Sequence, residues 1–224
     1  MYTEASRTVL RQAASTPHRL GSPAMQGPLA LMGTPFQYAR NAEIYGEGDE
    51  AEYLYQVVSG TVRTYKMLED GRRQIGGFYL PGDIFGFEAG ETHSSSAESV
   101  NGAQVLIIKR SAVMLRAERE RDLAQQLWDA TTRELQRFRN HMLLLIKTAE
   151  ERVAGFLLDI ARRTASTTSI ELAMSRQDIA DYLGLTIETV SRTFTQLEQS
   201  GAIALPTSRR IELRNRAALN RLNA

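Results

Sequence analysis

No cysteine occurs in the 224 residues, and that absence removes whole chemistries. Disulfides, thiolate zinc sites and cysteine-ligated iron–sulfur clusters are excluded for this chain. Long apolar runs are missing as well. The longest, Met142 to Ile146, is five residues, far short of the roughly 20 needed to span a bilayer. The N-terminal MYTEASRTVLRQAAS has no apolar core of signal-peptide length. No membrane partner is expected, and a cytoplasmic location is the default. An excess of either charge is also lacking, since 27 Lys and Arg face 26 Asp and Glu for a net charge of +1. A strongly basic domain would announce nucleic acid. Any DNA binding by this chain must therefore come from a local cluster.

What is present is ordinary globular material, 42% apolar and 24% charged. Residues 1–28 hold Pro17, Pro23, Pro28, Gly21 and Gly27 among small polar residues and read as a flexible arm. Over residues 29–115, short β-prone stretches (EYLYQVVSG, TVRTYKML, QIGGFYL, AQVLIIKR) recur between glycines. Asp70-Gly71 separates two of them, a hairpin signal because the turn needs positive φ. Short strands at this spacing predict an all-β sandwich or barrel.

From about Ser111 the pattern turns helical, and residues 117–146 contain neither Pro nor Gly. Leu127, Leu135, Phe138, Met142 and Leu145 fall on one helical face. That stripe fits either a core helix packed on the barrel or a coiled-coil dimer seam. A further helix spans residues 148–163, with Thr148 as N-cap and Glu150 and Glu151 in its first turn.

The most informative stretch is MSRQDIADYLGLTIETVSRTFTQLEQSGAI, residues 174–203. Ser175 and Asp178 have capping-box spacing. Ile179, Ala180 and Leu183 give a first short helix its apolar face. Gly184 permits a tight turn. Thr186 caps a second helix with Val190, Phe194 and Leu197 on its buried face, and Ser200-Gly201 ends it. Two short helices joined by a Gly turn are the helix-turn-helix pattern, whose second helix enters the major groove. The residues left exposed there are Ile187, Glu188, Ser191 and Arg192. An Arg bonds guanine O6 and N7 bidentately, and a Glu accepts from cytosine N4. Glu188 with Arg192 is also an i,i+4 pair compatible with a plain surface salt bridge. After Gly201, two β-prone runs flank a Pro-Thr-Ser-Arg turn. This is a wing, with Arg209 and Arg210 at or beside its tip.

The order of arm, β-roll, long helix and winged helix-turn-helix resembles the CRP/FNR superfamily of bacterial regulators, closest to its FNR and FixK branch. The resemblance rests on GDEAEYLYQVVSGTVRTY and GFYLPGDIFGF in the roll, LLLIKTAEERVAGFLLDIARR across the hinge, and SRQDIADYLGLTIETVSRTFTQLEQSG in the reader. It covers about residues 30–222. It implies an α+β fold: a β-roll like cyclic-nucleotide-binding domains over 29–115, a dimerisation helix over 116–147, and a winged helix-turn-helix over 148–224. It further implies a homodimer joined along that helix, which favours the seam for Leu127, Leu135, Phe138, Met142 and Leu145. The family pattern Glu-x-x-Ser-Arg is matched by Glu188, Ser191 and Arg192. In this branch that set reads a TTGA-type half-site, and two-fold symmetry then gives an inverted repeat of TTGA and TCAA. Ile187 would touch a thymine methyl. Ser175, Arg176, Gln177, Thr186 and Thr189 match positions that contact phosphates, and Arg209 joins them from the wing. RNA polymerase is the implied partner, with the loop from Phe85 to Glu91 as one candidate contact surface and activation as the expected mode.

Relatives that bind cyclic AMP need a Glu for the ribose and an Arg-Ser pair for the phosphate. Phe87 occupies the Glu position here, with Glu88 beside it, and the Arg-Ser pair falls on Ser95 and Ser96. Without its Arg the phosphate loses its main charge-assisted bond. A cyclic-nucleotide-responsive regulator is therefore the alternative, not the expectation, and no cofactor is expected. A β-roll also resembles cupin barrels, whose metalloenzymes need clustered His and carboxylate ligands. The three histidines, His18, His93 and His141, offer no such cluster, and no P-loop or nucleophile-elbow pattern appears. An enzyme is not expected.

Overall fold

The computed structural model describes residues 27–223. Almost all of the expected arm, and His18, lie outside the described residues. The chain forms two units: Met1–Val62 with Tyr79–Ala130, and Arg63–Phe78 with Thr131–Ala224. Each is taken in turn.

The first unit holds β1 (Thr34–Tyr38), β2 (Glu43–Tyr45), β3 (Tyr53–Ser59), β6 (Ile84–Phe85), β7 (Ser96–Ser99), β8 (Ala103–Lys109) and the short helix α1 (Arg110–Ala117). One sheet runs in the order β1-β8-β3-β6, and β2 pairs antiparallel with β7. Strand alternation sends successive side chains to opposite faces. On β8, Ala103 and Val105 join Tyr45, Tyr55, Val57 and Phe85 in one core, while Leu106 and Ile108 join Leu29, Leu54, Val58 and Leu123 in another. Burial on both faces explains why β3 and β8 read as nearly continuous apolar runs. Gly60 has φ +78°, and a Cβ there would sit 2.1 Å from the Gly102 carbonyl oxygen. Only glycine tolerates that backbone approach.

The second unit contains a hairpin, β4 (Val62–Met67) and β5 (Arg73–Tyr79), turned through Asp70 and Gly71 as the sequence predicts. Three strands, β9 (Ser169–Glu171), β10 (Ile203–Ala204) and β11 (Arg210–Leu213), form a sheet in the order β10-β11-β9. Helices α3 (Ala149–Arg163), α4 (Arg176–Leu183), α5 (Ile187–Gln199) and α6 (Arg216–Asn223) complete the unit. α3 begins on a full Thr148–Glu151 capping box, a feature contributing about 1 kcal/mol. Its buried Phe156 meets Phe78 of the hairpin at 6.2 Å and Tyr182 of α4 at 5.8 Å between ring centroids.

The long helix, α2, spans Arg121–Leu145. It is shorter than the expected 116–147, because residues 118–120 leave helical geometry without any Pro or Gly. Its two faces differ. Leu123, Leu127, Ala130, His141 and Leu144 are buried or half-buried along one side. Trp128, Leu135, Phe138, Met142 and Leu145 lie exposed along the other. Leu127 departs from the expected stripe, since it packs on the core around Leu123 and Ala130. One residue of helix is a 100° rotation, so Trp128, not Leu127, continues the outward line.

Candidate nucleic-acid interface

Local chemistry builds the reader from its caps. Ser175 Oγ accepts from the Asp178 amide at 3.1 Å, and Asp178 Oδ2 accepts from the Ser175 amide at 3.0 Å. This reciprocal pair starts α4. Gly184 ends it in left-handed geometry at φ +62°. Thr186 Oγ1 then accepts from the Thr189 amide at 3.2 Å and starts α5. Arg152 fixes the turn, with Nη1 donating to Leu183 O at 2.9 Å and Nε to Lys147 O at 2.8 Å. His141 stacks on Tyr182 at 3.9 Å, and its Nε2 lies 2.6 Å from Tyr182 O.

α5 buries Val190, Thr193, Phe194 and Leu197. Helical periodicity then leaves Ile187, Glu188, Ser191 and Arg192 together on the outer face of its first turns, all exposed. Glu188 lies below the usual carboxylate range: its own amide donates to it, Thr186 adds a hydrogen bond, and Arg192 adds its positive charge. Among the described residues no salt bridge joins Glu188 to Arg192, so both ends keep bonding capacity for an external group.

The residues expected at phosphates are placed less uniformly. Ser175, Arg176 and Gln177 stand at the N-terminus of α4, Thr186 and Thr189 at that of α5. Helix N-termini favour anions through their free amides. Ser175 Oγ also donates to Asp178 Oδ2, and Gln177 Nε2 donates to Asp181 Oδ1 at 2.6 Å. Arg176 lies over the Phe194 ring at 3.3 Å with Nη1 buried and unpartnered, and burial pushes its pKa down to about 10. Arg209 Nη1 donates to Ala173 O at 2.7 Å and braces the wing, while Arg210 stays exposed. Sequence reasoning missed β9 and α6, the anchoring roles of Arg152 and His141, and Trp128 on the outward stripe.

In the roll, several polar groups of the stretch from Gly86 to Ser96 are already bonded, while both ring nitrogens of the buried His93 lack a hydrogen-bond partner among the described residues. Glu88 Oε1 accepts from the Ser94 amide at 3.0 Å and from Ser94 Oγ at 3.1 Å. Ser96 Oγ accepts from the Glu47 amide at 2.9 Å. Phe87 packs on the core around Leu106 and Ile108. His93 is buried against Tyr45, with ring centroids 3.6 Å apart. Among the described residues, no His, Cys, Asp and Glu cluster has the makings of a metal site, and no helix is long and apolar enough to cross a membrane.

A two-helix reader with a three-stranded wing, in a chain that also carries a β-roll and a long amphipathic helix, is the architecture of a DNA-binding transcription regulator. The chain matches the family described as Crp-like helix-turn-helix domain over residues 151–222, and that described as cyclic nucleotide-binding domain over residues 35–118. It is 54% identical over 202 residues to the nitrogen fixation regulation protein FixK of Azorhizobium caulinodans, covering 88% of this chain and 82% of that one. Against FixK of Rhizobium meliloti it is 43% identical over 204 residues, 91% and 92% of the two chains. The structure of FixK2 from Bradyrhizobium japonicum superposes with a TM-score of 0.81 at 51% identity, over 86% of this chain and 98% of that one. The chain belongs to the CRP/FNR family of transcription regulators and is FixK-like within it.

Proposed function

We propose that this chain is a homodimeric transcription activator that reads an inverted repeat of TTGA and TCAA. The observation that carries the reading is the exposed set Glu188, Ser191 and Arg192 on the outer face of a doubly capped reading helix. Arg192 takes the guanine of the half-site, Glu188 takes the N4 of the cytosine paired with it, and Ile187 lies against a thymine methyl. Ser175, Arg176, Gln177, Thr186, Thr189 and Arg209 set register on the phosphates. The dimer forms along Trp128, Leu135, Phe138, Met142 and Leu145, an exposed stripe with heptad spacing. RNA polymerase is contacted through loops of the two units, in the cytoplasm. The FixK relatives are named nitrogen fixation regulation proteins. The proposal extends that class of regulator to this chain, not its particular promoters.

A cyclic-nucleotide-responsive regulator is the second reading, favoured by the family match over residues 35–118. Against it, no Lys or Arg occurs from Pro81 to Ser99, and Glu88 and Ser96 are already bonded to Ser94 and Glu47. We therefore propose control without a cyclic nucleotide or an iron–sulfur cluster. Mobility shift on the palindrome and on a scrambled duplex, with and without cyclic AMP, tests both readings. Palindrome-selective binding indifferent to the nucleotide is expected. Equal binding to both duplexes contradicts the first reading, and strict nucleotide dependence favours the second.

A further inference from the structure

The capping carboxylate of α4 has a second use. Asp178 Oδ2 is committed to Ser175, but Oδ1 faces the β4–β5 hairpin. There it accepts from Arg63 Nη1 at 3.0 Å and from Arg73 Nη2 at 2.6 Å. Arg73 also reaches one turn along α4, where Nε donates to Asp181 Oδ2 at 2.8 Å. The cluster is dry at its centre, where the side chains of Arg63 and Asp178 are 7% and 6% exposed, and partly open at Arg73, which is 23% exposed. Two cations meet two anions, so the group is balanced internally.

Buried ion clusters of this kind are weak contributors to stability, because desolvation offsets most of the attraction. What they supply is geometry. A fork of guanidinium donors meeting carboxylates in a dry site tolerates little rotation. α4 does not need the hairpin to start, since its capping box is complete without it. It needs the hairpin to be aimed. α4 carries Ser175, Arg176 and Gln177 at its N-terminus, and α5 follows it through the Gly184 turn. A tilt of α4 therefore moves every group proposed to touch DNA from α4 and α5, leaving only Arg209 of the wing. The two arginines are paired with carboxylates of α4, which gives them a role other than holding phosphates.

We propose that Arg63 and Arg73 are positioning residues for DNA reading, holding α4 in its reading orientation through Asp178 and Asp181. Whatever binds or displaces the β4–β5 hairpin then sets the affinity for DNA. This rests on the reading above that the α4–α5 pair binds a specific duplex.

The test uses the full chain with Arg73→Gln and Arg73→Lys. A second pair is Arg73→Asp alone and combined with Asp181→Arg. Each is titrated by mobility shift on the palindrome and a scrambled duplex at several salt concentrations, and α4 amide exchange is followed without DNA. Arg73→Gln should weaken palindrome binding about tenfold, within the usual range of coupling effects. Scrambled-duplex binding and the salt slope should stay unchanged, and the α4 amides should exchange faster. Arg73→Lys and the charge-swapped double variant should each recover part of the loss.

Unchanged palindrome affinity overturns the proposal. So does a proportional loss on both duplexes, which marks mere destabilisation, or a slope reduced by about 1, which marks a direct phosphate contact. A parent protein that ignores the palindrome while its α4 amides exchange more slowly than those of Arg73→Gln sinks the target site and leaves the hairpin's hold on α4 standing.

Discussion

Two polar segments of this molecule invite opposite conclusions. The loop from Gly86 to Ser96 is polar, but its glutamate and serines are largely committed: Glu88 accepts from Ser94, and Ser96 accepts from Glu47 outside the loop. The first turns of α5 are also polar, but Ile187, Glu188, Ser191 and Arg192 stand exposed, and no salt bridge joins the glutamate to the arginine. A ligand site keeps bonding capacity in reserve, because groups already paired must be pulled apart before they can bind. By that measure Arg192 is equipped for a partner, while Glu88 is already committed to Ser94. The same contrast runs along α2, where one side packs on Leu123 and Ala130 and the other leaves Leu135, Phe138 and Met142 uncovered.

The comparison breaks most sharply at Arg192. Arg192→Ala should lose at least about fivefold per half-site on the palindrome, since a bidentate guanine contact is worth about 1–3 kcal/mol. Scrambled-duplex affinity should barely change, and fluorescence anisotropy on the two duplexes checks both. Next in size is the outward stripe of α2. Leu135→Glu places a charge in the seam, so sedimentation should give a monomer, with DNA binding weakened as a consequence. An unchanged dimer removes the seam from the account. Thr186→Ala deletes the cap of α5 and should cost about 1 kcal/mol, read as a small fall in the urea midpoint and a few-fold loss of DNA affinity.

A smaller effect follows from the buried imidazoles. Burial pushes both His93 and His141 below the ordinary value of 6.5. Their neutral forms are the folded ones, so the stability they contribute is complete above 6.5 and is lost as pH falls toward the folded values. Urea midpoints should therefore drop between about pH 7.5 and about pH 5.5, less so in His141→Gln. At the bottom of the scale, Glu88→Gln should leave DNA binding unchanged, because Glu88 serves only its own loop. A substantial change in DNA affinity there would break the contrast between the two segments.

The reader was legible because its signals are local. Ser175 with Asp178, Gly184 and Thr186 each act within a few residues, and each lies where its spacing predicts. The Asp70-Gly71 turn was legible for the same reason. Other features carry no local mark. The helix break at residues 118–120 has neither Pro nor Gly, and β9 emerges from a polar run because β11 pairs with it. Leu127 and Trp128 are adjacent apolar residues, and only packing decides which faces the core. The ion pairs that tie the hairpin to α4, such as Arg73 with Asp178, join residues over a hundred positions apart. Spacing rules have no reach at that range.

The central claim is that Arg192 reads a guanine, and a cycle of residue against base tests it most directly. The parent chain and Arg192→Ala are each titrated on TTGA and TTAA half-site palindromes. The account predicts that the parent prefers TTGA by an amount corresponding to about 1–3 kcal/mol per half-site, while the variant binds both alike. A variant that keeps the parent's preference would contradict it.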